Sequence, residues 1–425
     1  MARFVINGGR PVGGAYRPAG NKNAALPMLA ASLLTDEPVR LQNVPLIDDV
    51  RTMLALLEDL GATVEVRGHS VTVHAARIRK RTLHPELCRR VRSSVLFAGP
   101  MAARHGKVIL SPPGGDIIGR RRIDTHIAGL AELGIRMHGQ NHYRFERERL
   151  GGAKILLDEA SVTATENILM AAVLAEGRTT IFNAACEPHV QDLCRMLNRM
   201  GARIENIGTN YLKIDGVDSL HGVTARVPPD YIEAVSFLAA AAVTGGALTV
   251  TEVPSAVMDV VSRPFRKLGV EWRTDGSSVS LPARRRRKVQ DDFGGAIPRI
   301  DDGVWPSFPS DLMSVAIVTA TQAQGQALFF EKMFESRMVF VDRLIEMGAR
   351  IVRCDPHRVM VAGPSRLHGT HLSSPDIRAG MAMLIAALAA RGTSIIDNAQ
   401  SIDRGYEQIE RRLGALGADI ERTEG

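Results

Sequence analysis

The chain has 425 residues, enough for two or three domains that each bury a core, and its 45% hydrophobic and 23% charged content is ordinary for a globular protein. Its apolar runs, such as 237–243 and 381–390, fall well short of the roughly 18 residues a membrane span needs, which argues against a membrane partner. A formal net charge of +7 favours an anionic partner, either nucleic acid or a phosphorylated metabolite, and with only 4% aromatics single-strand stacking platforms find no support.

In chain order, ARFVING at the N-terminus reads as a strand that pairs with the last unit of the chain. The glycine pair after it leaves too little apolar sequence for a signal peptide, so the expected location is cytoplasmic. Lys22 and Asn23 open the first helix, in AGNKNAALP. A lysine at a helix start opposes the helix dipole and asks for an anion at that terminus. The basic run 284–288 (RRRRK) follows a strand-like SVSLP and precedes QDDFGG, and is expected to be a solvated surface loop. Cys88, Cys186, Cys194 and Cys354 lack CxxC spacing and any His/Cys cluster, so they are expected to be buried, reduced thiols with no metal among them.

One pattern recurs along the whole chain. An amphipathic helix ends in Leu or Met, then Gly, then an alternating strand, with glycines at Gly61, Gly134, Gly201, Gly269, Gly348 and Gly417. Their spacings are 73, 67, 68, 79 and 69 residues, and each stands where a helix C-terminus needs a left-handed residue. In step with them come six Ala/Leu-rich helices, apolar nearly all round and so expected to be buried, each followed by a β-branched strand. Six units of this length fit two domains of three better than a solenoid. The expected fold class is α/β, with domains at 21–229 and at 1–20 plus 230–425, and a linker near 228–230.

The stretch 111–126, SPPGGDIIGRRRIDTH, combines paired glycines, an acid, three arginines and a histidine. Glycines allow close backbone approach to a ligand, and three guanidiniums in a row repel unless an anion sits among them. It reads as an anion-handling loop with Asp116 as proton donor.

With KNAALP, PGGDIIGRRRIDTH, FPSD, FESR, DIRAG and IDRGYEQIE in order from end to end, the chain resembles the enolpyruvyl transferases. The resemblance implies two similar domains, each of three βαβαββ-type units with buried helices, an inside-out α/β barrel. It also implies transfer of the enolpyruvyl group of phosphoenolpyruvate to the 3-hydroxyl of UDP-N-acetylglucosamine by addition and elimination. That is the first committed step of peptidoglycan precursor synthesis, and it needs no cofactor and no metal. Domain closure would bring the Asp116 loop over the ligands as a lid.

Carried over position by position, Asp116 matches the family's acid and Asp311 the base, with Lys22 also catalytic. Lys22, Arg121, Arg337, Asp376, Arg378 and Arg404 match the phosphoenolpyruvate grip. Asn23, Arg92, Arg121, Arg122, Ile123, Asp124, Thr125, His126, Ser161, Val162, Thr163, Asp311 and Met333 match the nucleotide-sugar pocket. The chain departs from the commonest pattern in having Asp116 for a cysteine, Arg122 for a proline, Glu159 for a lysine and Leu96 for a bulkier aromatic in the acceptor pocket. Fosfomycin, which alkylates that cysteine, is therefore expected not to inactivate it. A carboxyl donor must be protonated beside Arg120, Arg121 and Arg122, so turnover is expected to be best at lower pH than in a cysteine-bearing member. Alternative readings are enolpyruvyl transfer to another nucleotide acceptor, or a non-catalytic homologue that binds nucleotide sugar. The stretch NAGTAMR that marks the shikimate-specific relatives is missing.

Overall fold

Side-chain pattern divides the long helices into two kinds. Lys22–Ala31, Ala98–His105, Val162–Ala172, Tyr231–Thr244, Met313–Ala320 and Ile377–Ala389 are buried along almost their whole length. Asp48–Leu60, Asp124–Glu132, Pro188–Arg199, Ser255–Lys267, Val341–Glu346 and Ile409–Gly414 bury one stripe only. A helix with no polar face has to be surrounded by other elements, so the first kind forms the centre and the second the outside.

The computed structural model describes residues 2–116, 118–284 and 286–424. They form two units: Met1–Ala19, Ile117–Arg120 and Pro229–Gly425 in the first, Gly20–Asp116 and Arg121–Pro228 in the second. Each holds three of the buried helices, three of the amphipathic ones and three sheets, with its own continuous apolar core. This is the α/β architecture of repeated units with helices inside. Among the described residues no helix is long and apolar enough to cross a membrane.

The sheets repeat one plan. Val223–Arg226 runs parallel to Val39–Gln42, which pairs antiparallel with Ser70–His74, itself antiparallel to Thr63–Arg67. Four other sheets follow the same order of one parallel and two antiparallel pairings, the one around Ala323–Phe330 adding a second parallel strand, Arg299–Asp301. In the sixth, around Lys107–Leu110, the parallel strand has shrunk to a single bridge between Thr82 and Ile109. The N-terminal strand Ala2–Asn7 lies between Thr393–Asp397 and Asp419–Glu424, as expected of its pairing with the last unit.

Two devices recur at the joints. The six repeat glycines all have positive φ, from 72° at Gly269 to 106° at Gly61. At Gly61 the following N–H, that of Ala62, reaches back to the Leu57 carbonyl at 3.0 Å, closing the helix and turning the chain into its strand. The second device is an asparagine just past a central strand. Asn43, Asn183 and Asn398 take φ near 58° and donate from Nδ2 to the carbonyls of Val227, Leu157 and Ser374 at 3.0, 2.9 and 2.7 Å. Each fastens the central strand to the end of its parallel neighbour. After the strand Ala323–Phe330 the same place is occupied by Glu331, opposite Asp302.

The basic run near 284 is not wholly solvated. Arg284 and Arg286 are exposed, but Arg287 is buried and donates to the carbonyls of Ala242 and Gly269 at 3.2 and 3.4 Å, closing two helix ends. Burial, then Arg284, pulls its pKa down to about 10. Arg285 lies outside the described residues. Three cysteines are buried thiols, whereas Cys354 is exposed on a turn.

Candidate active site

In the second unit, Lys22 starts a central helix whose N-cap is Asn21, accepting from the Ala24 N–H at 3.0 Å. The anion that this lysine calls for is supplied by the protein: Asp49 Oδ2 lies 2.6 Å from Lys22 Nζ, with both side chains nearly buried. Asn23 beside it is half-buried.

In the loop 111–126 the paired glycines have a role within the chain itself. A Cβ on Gly114 would fall 1.7 Å from the Arg89 carbonyl oxygen, and one on Gly115 would fall 2.9 Å from Arg92 Cβ. The glycine pair thus packs against the protein's own chain and anchors the loop beside Arg92. Asp116 follows directly and is half-buried. Residues 118–120 group with the first unit, where the Ile118 carbonyl accepts from the Ser336 N–H and the Glu335 carboxylate accepts from the Arg120 N–H, both at 3.2 Å.

Arg92 donates to the Arg122 carbonyl at 3.0 Å, and its pKa is lowered to about 10, first by burial and then by the like charge of Arg121. Two guanidiniums in one another's field make a place where an anion is welcome. Arg122 forks onto Asp124 at 2.5 and 2.9 Å at the exposed start of helix Asp124–Glu132. Ile123 and Thr125 are buried beside them, and Thr125 donates to Glu159 at 3.2 Å. Ser161 is the N-cap position of helix Val162–Ala172 but makes no side-chain cap, which leaves its hydroxyl, with half-buried Val162 and Thr163, at a helix N-terminus suited to an anion. Leu96, expected in the acceptor pocket, is instead a core residue.

His126 is 1% exposed. Its Nδ1 accepts from Asn167 Nδ2 and its Nε2 faces Thr163 Oγ1, both at 3.1 Å, which fixes the tautomer with the proton on Nε2. Burial pushes its pKa down to about 3. It holds helix Asp124–Glu132 against helix Val162–Ala172 as a neutral ring.

In the first unit, Asp311 stands in the short turn Ser310–Leu312 that leads into helix Met313–Ala320. Its Oδ1 accepts from Arg337 and its Oδ2 from Arg378, each at 2.9 Å. Both guanidiniums are nearly buried, whereas Asp311 keeps 29% of its side chain exposed. Arg378 also donates to the Tyr406 hydroxyl at 3.3 Å; burial pulls its pKa down, but Asp311, Tyr406 and Asp230 together outweigh that and hold it firmly charged. Asp376 is the N-cap of helix Ile377–Ala389, its Oδ1 accepting from the N–H groups of Arg378 and Ala379 at 2.8 and 2.9 Å. Arg404 is half-buried at the C-terminus of Gln400–Asp403, and Met333 is exposed.

Thus Asp311, Arg337 and Arg378 are brought together, Asp376 supports Arg378, and Arg92, Arg121 and Arg122 cluster around the base of the Asp116 loop. Sequence reasoning missed Asn21, Asp49, Asn167, Ser310, Glu331 and Tyr406. Asn21 carried a readable signal, a capping residue before a helical run. The others act on partners distant in sequence, and spacing does not reveal them.

The chain matches the family model for EPSP synthase (3-phosphoshikimate 1-carboxyvinyltransferase) over residues 6–413. It is 52% identical over 422 residues to the UDP-N-acetylglucosamine 1-carboxyvinyltransferase of Bradyrhizobium diazoefficiens, covering 99% of this chain and 98% of that protein. With the protein of the same name from Treponema pallidum the identity is 53% over 421 residues, 99% of both. The solved enolpyruvyl transferase NikO from Streptomyces tendae shares the fold at TM-score 0.88 and 23% identity, over 100% of this chain and 99% of that one. The chain belongs to the EPSP synthase family, in its UDP-N-acetylglucosamine 1-carboxyvinyltransferase branch.

Proposed function

We propose that this protein transfers the enolpyruvyl group of phosphoenolpyruvate to the 3-hydroxyl of UDP-N-acetylglucosamine, releasing phosphate, in the cytoplasm and at the first committed step of peptidoglycan precursor synthesis. Support comes from the names of relatives that match at about half identity over their full lengths. The observation that carries the chemistry is Asp311, a partly exposed carboxylate set between two nearly buried guanidiniums at 2.9 Å.

In this reading Asp116 delivers a proton to the vinyl carbon of phosphoenolpyruvate, and Asp311 takes the proton of the acceptor hydroxyl as its oxygen bonds to the adjacent carbon. Arg337 and Arg378, with Lys22, Arg121 and Arg404, balance the phosphate and carboxylate charge as the oxocarbenium-like centre forms. Loss of a methyl proton with departure of phosphate then restores the double bond on the acceptor. Arg92, Asp124, Ser161 and the start of helix Val162–Ala172 are assigned to the nucleotide sugar.

Phosphate release measured over a panel of nucleotide-sugar and nucleotide acceptors tests both reaction and acceptor. Release is expected with UDP-N-acetylglucosamine and to fall at least about 100-fold in Asp116→Asn and in Asp311→Ala. Preincubation with fosfomycin is expected to leave the wild type active and to inactivate Asp116→Cys. Release with a different nucleotide alone would reassign the acceptor, and no release with any would favour a binding role.

A further inference from the structure

Glu331 is fully buried directly after the strand Ala323–Phe330, at the joint where three other repeats carry an asparagine. A neutral amide serves those joints by donating to a carbonyl. Here a carboxyl faces a second carboxyl, that of Asp302, which is also buried. Such an exchange is costly in a core unless the pair holds a proton and does something an amide does not.

What it touches shows the difference. Ser310, next to Asp311, places its hydroxyl 3.0 and 2.9 Å from the two Glu331 oxygens. The N–H groups of Met333 and Phe334, which begin the turn to Arg337, donate to Glu331 Oε1 at 3.1 Å each. Ser310 Oγ in turn accepts from Arg337 Nε at 3.3 Å. Asp302 Oδ1 accepts from the Lys332 N–H at 2.5 Å, while its buried Oδ2 has no N–H or hydroxyl donor among the described residues.

We propose that Glu331 is a positioning residue for the enolpyruvyl transfer, a buried carboxyl that sets the turn bearing Asp311 in register with the turn bearing Arg337. The inference rests on the assignment of Asp311 and Arg337 to that reaction. With Oε1 occupied as an acceptor, Oε2 carries the proton that bridges to Asp302, and the pair links three segments through one hydrogen-bond network. Burial first, then Asp302, pushes the Glu331 pKa up to about 9, with Arg337 and Ser310 pulling the other way. The remaining charged or titratable neighbours are Lys332, which pairs with Asp301 at 2.7 Å, and His357, whose Nδ1 meets the Glu331 carbonyl at 2.9 Å. Ionising Glu331 sets two buried carboxylates against each other, so the register holds below that pH and fails above it.

The experiment compares Glu331→Gln, Glu331→Ala, Asp311→Ala and wild type, with kcat and KM for phosphoenolpyruvate measured from pH 6 to about 10 around the titration of the pair. Glutamine keeps a donor for Asp302 and an acceptor for Ser310, and it does not titrate. Expected are a fall of about 100-fold in kcat for Glu331→Ala at neutral pH, recovery to within about threefold in Glu331→Gln, and kcat of Glu331→Gln persisting at alkaline pH where the wild type declines. Equal loss in both Glu331 variants, or the same alkaline decline in Glu331→Gln as in wild type, overturns the proposal. An inactive Asp311→Ala beside a fully active Glu331→Ala overturns it while leaving the assignment of Asp311 intact. A fully active Asp311→Ala removes that assignment and the proposal together. Should Glu331→Ala fail to fold, the Glu331→Gln pH profile decides alone.

Discussion

His126 shows how one ring is committed by its neighbours. Asn167 spends its Oδ1 on the Gly99 N–H and its Nδ2 on the Val95 carbonyl as well as on the ring, so its amide orientation is fixed and it has no acceptor to offer a protonated imidazole. Because the folded-state pKa lies below the ordinary 6.5, at about 3, the stabilising contribution of the neutral ring is complete above pH 6.5 and is lost as pH falls toward 3. The slope from this one group is at most about 1.4 kcal/mol per pH unit. Thermal melts between pH 7 and 4 are expected to show a shallower loss of stability in His126→Gln than in wild type. Parallel slopes in the two proteins would exclude His126 as the source. Lys22 is committed in the same way, by Asp49, which is why a lysine is tolerated in the first turn of a buried helix.

At the scale of elements, helices deliver the charged groups and their ends decide how well. Helix Ile377–Ala389 carries a nearly buried arginine, Arg378, as its second residue, and Asp376 makes that possible by accepting from the N–H groups of Arg378 and Ala379. Replacing Asp376 with alanine is expected to cost about 1 kcal/mol in urea unfolding through the lost cap, and to raise KM for phosphoenolpyruvate as Arg378 loosens. Asp376→Asn retains a capping oxygen and is expected to recover the stability. If the asparagine variant is as unstable as the alanine one, capping is not what Asp376 contributes. The turn Ser310–Leu312 has no cap of its own and borrows its rigidity from Glu331 and Arg337, so Asp311 is placed by tertiary contacts rather than by its helix.

For the molecule as a whole, the repeat only works if it closes. In the second unit the strand Val223–Arg226, from the far end of its sequence, supplies the parallel partner of Val39–Gln42. In the first unit the N-terminus closes two sheets, with Gly14–Tyr16 as the parallel partner of Leu248–Val250 and Ala2–Asn7 lying antiparallel between two strands of the last sheet. Phe4 is completely buried there, with the Arg422 guanidinium 4.8 Å from its ring centre. Phe4→Ala is expected to destabilise the fold by about 3–5 kcal/mol, a cost out of keeping with an ordinary chain end. A melting temperature within a degree of wild type would show that the N-terminal strand is dispensable.

Much of this was legible along the chain. The repeat glycines, the all-apolar helices and the order of KNAALP, FPSD, DIRAG and IDRGYEQIE specify the repeat plan and the family, because helix ends and buried faces are set by residues within a few positions of one another. What needed the tertiary structure is everything that depends on two distant residues meeting. The glycines of the Asp116 loop press on Arg89 and Arg92, Arg287 in an apparently solvated run closes two buried helix ends, and Lys22 finds its anion in Asp49. Glu331 reads as one more acid in FFEKMFESR until the fold sets it against Asp302 and Ser310. Local pattern determines which elements form; desolvation and the pairing of charges, which decide protonation and orientation, arise only when those elements pack.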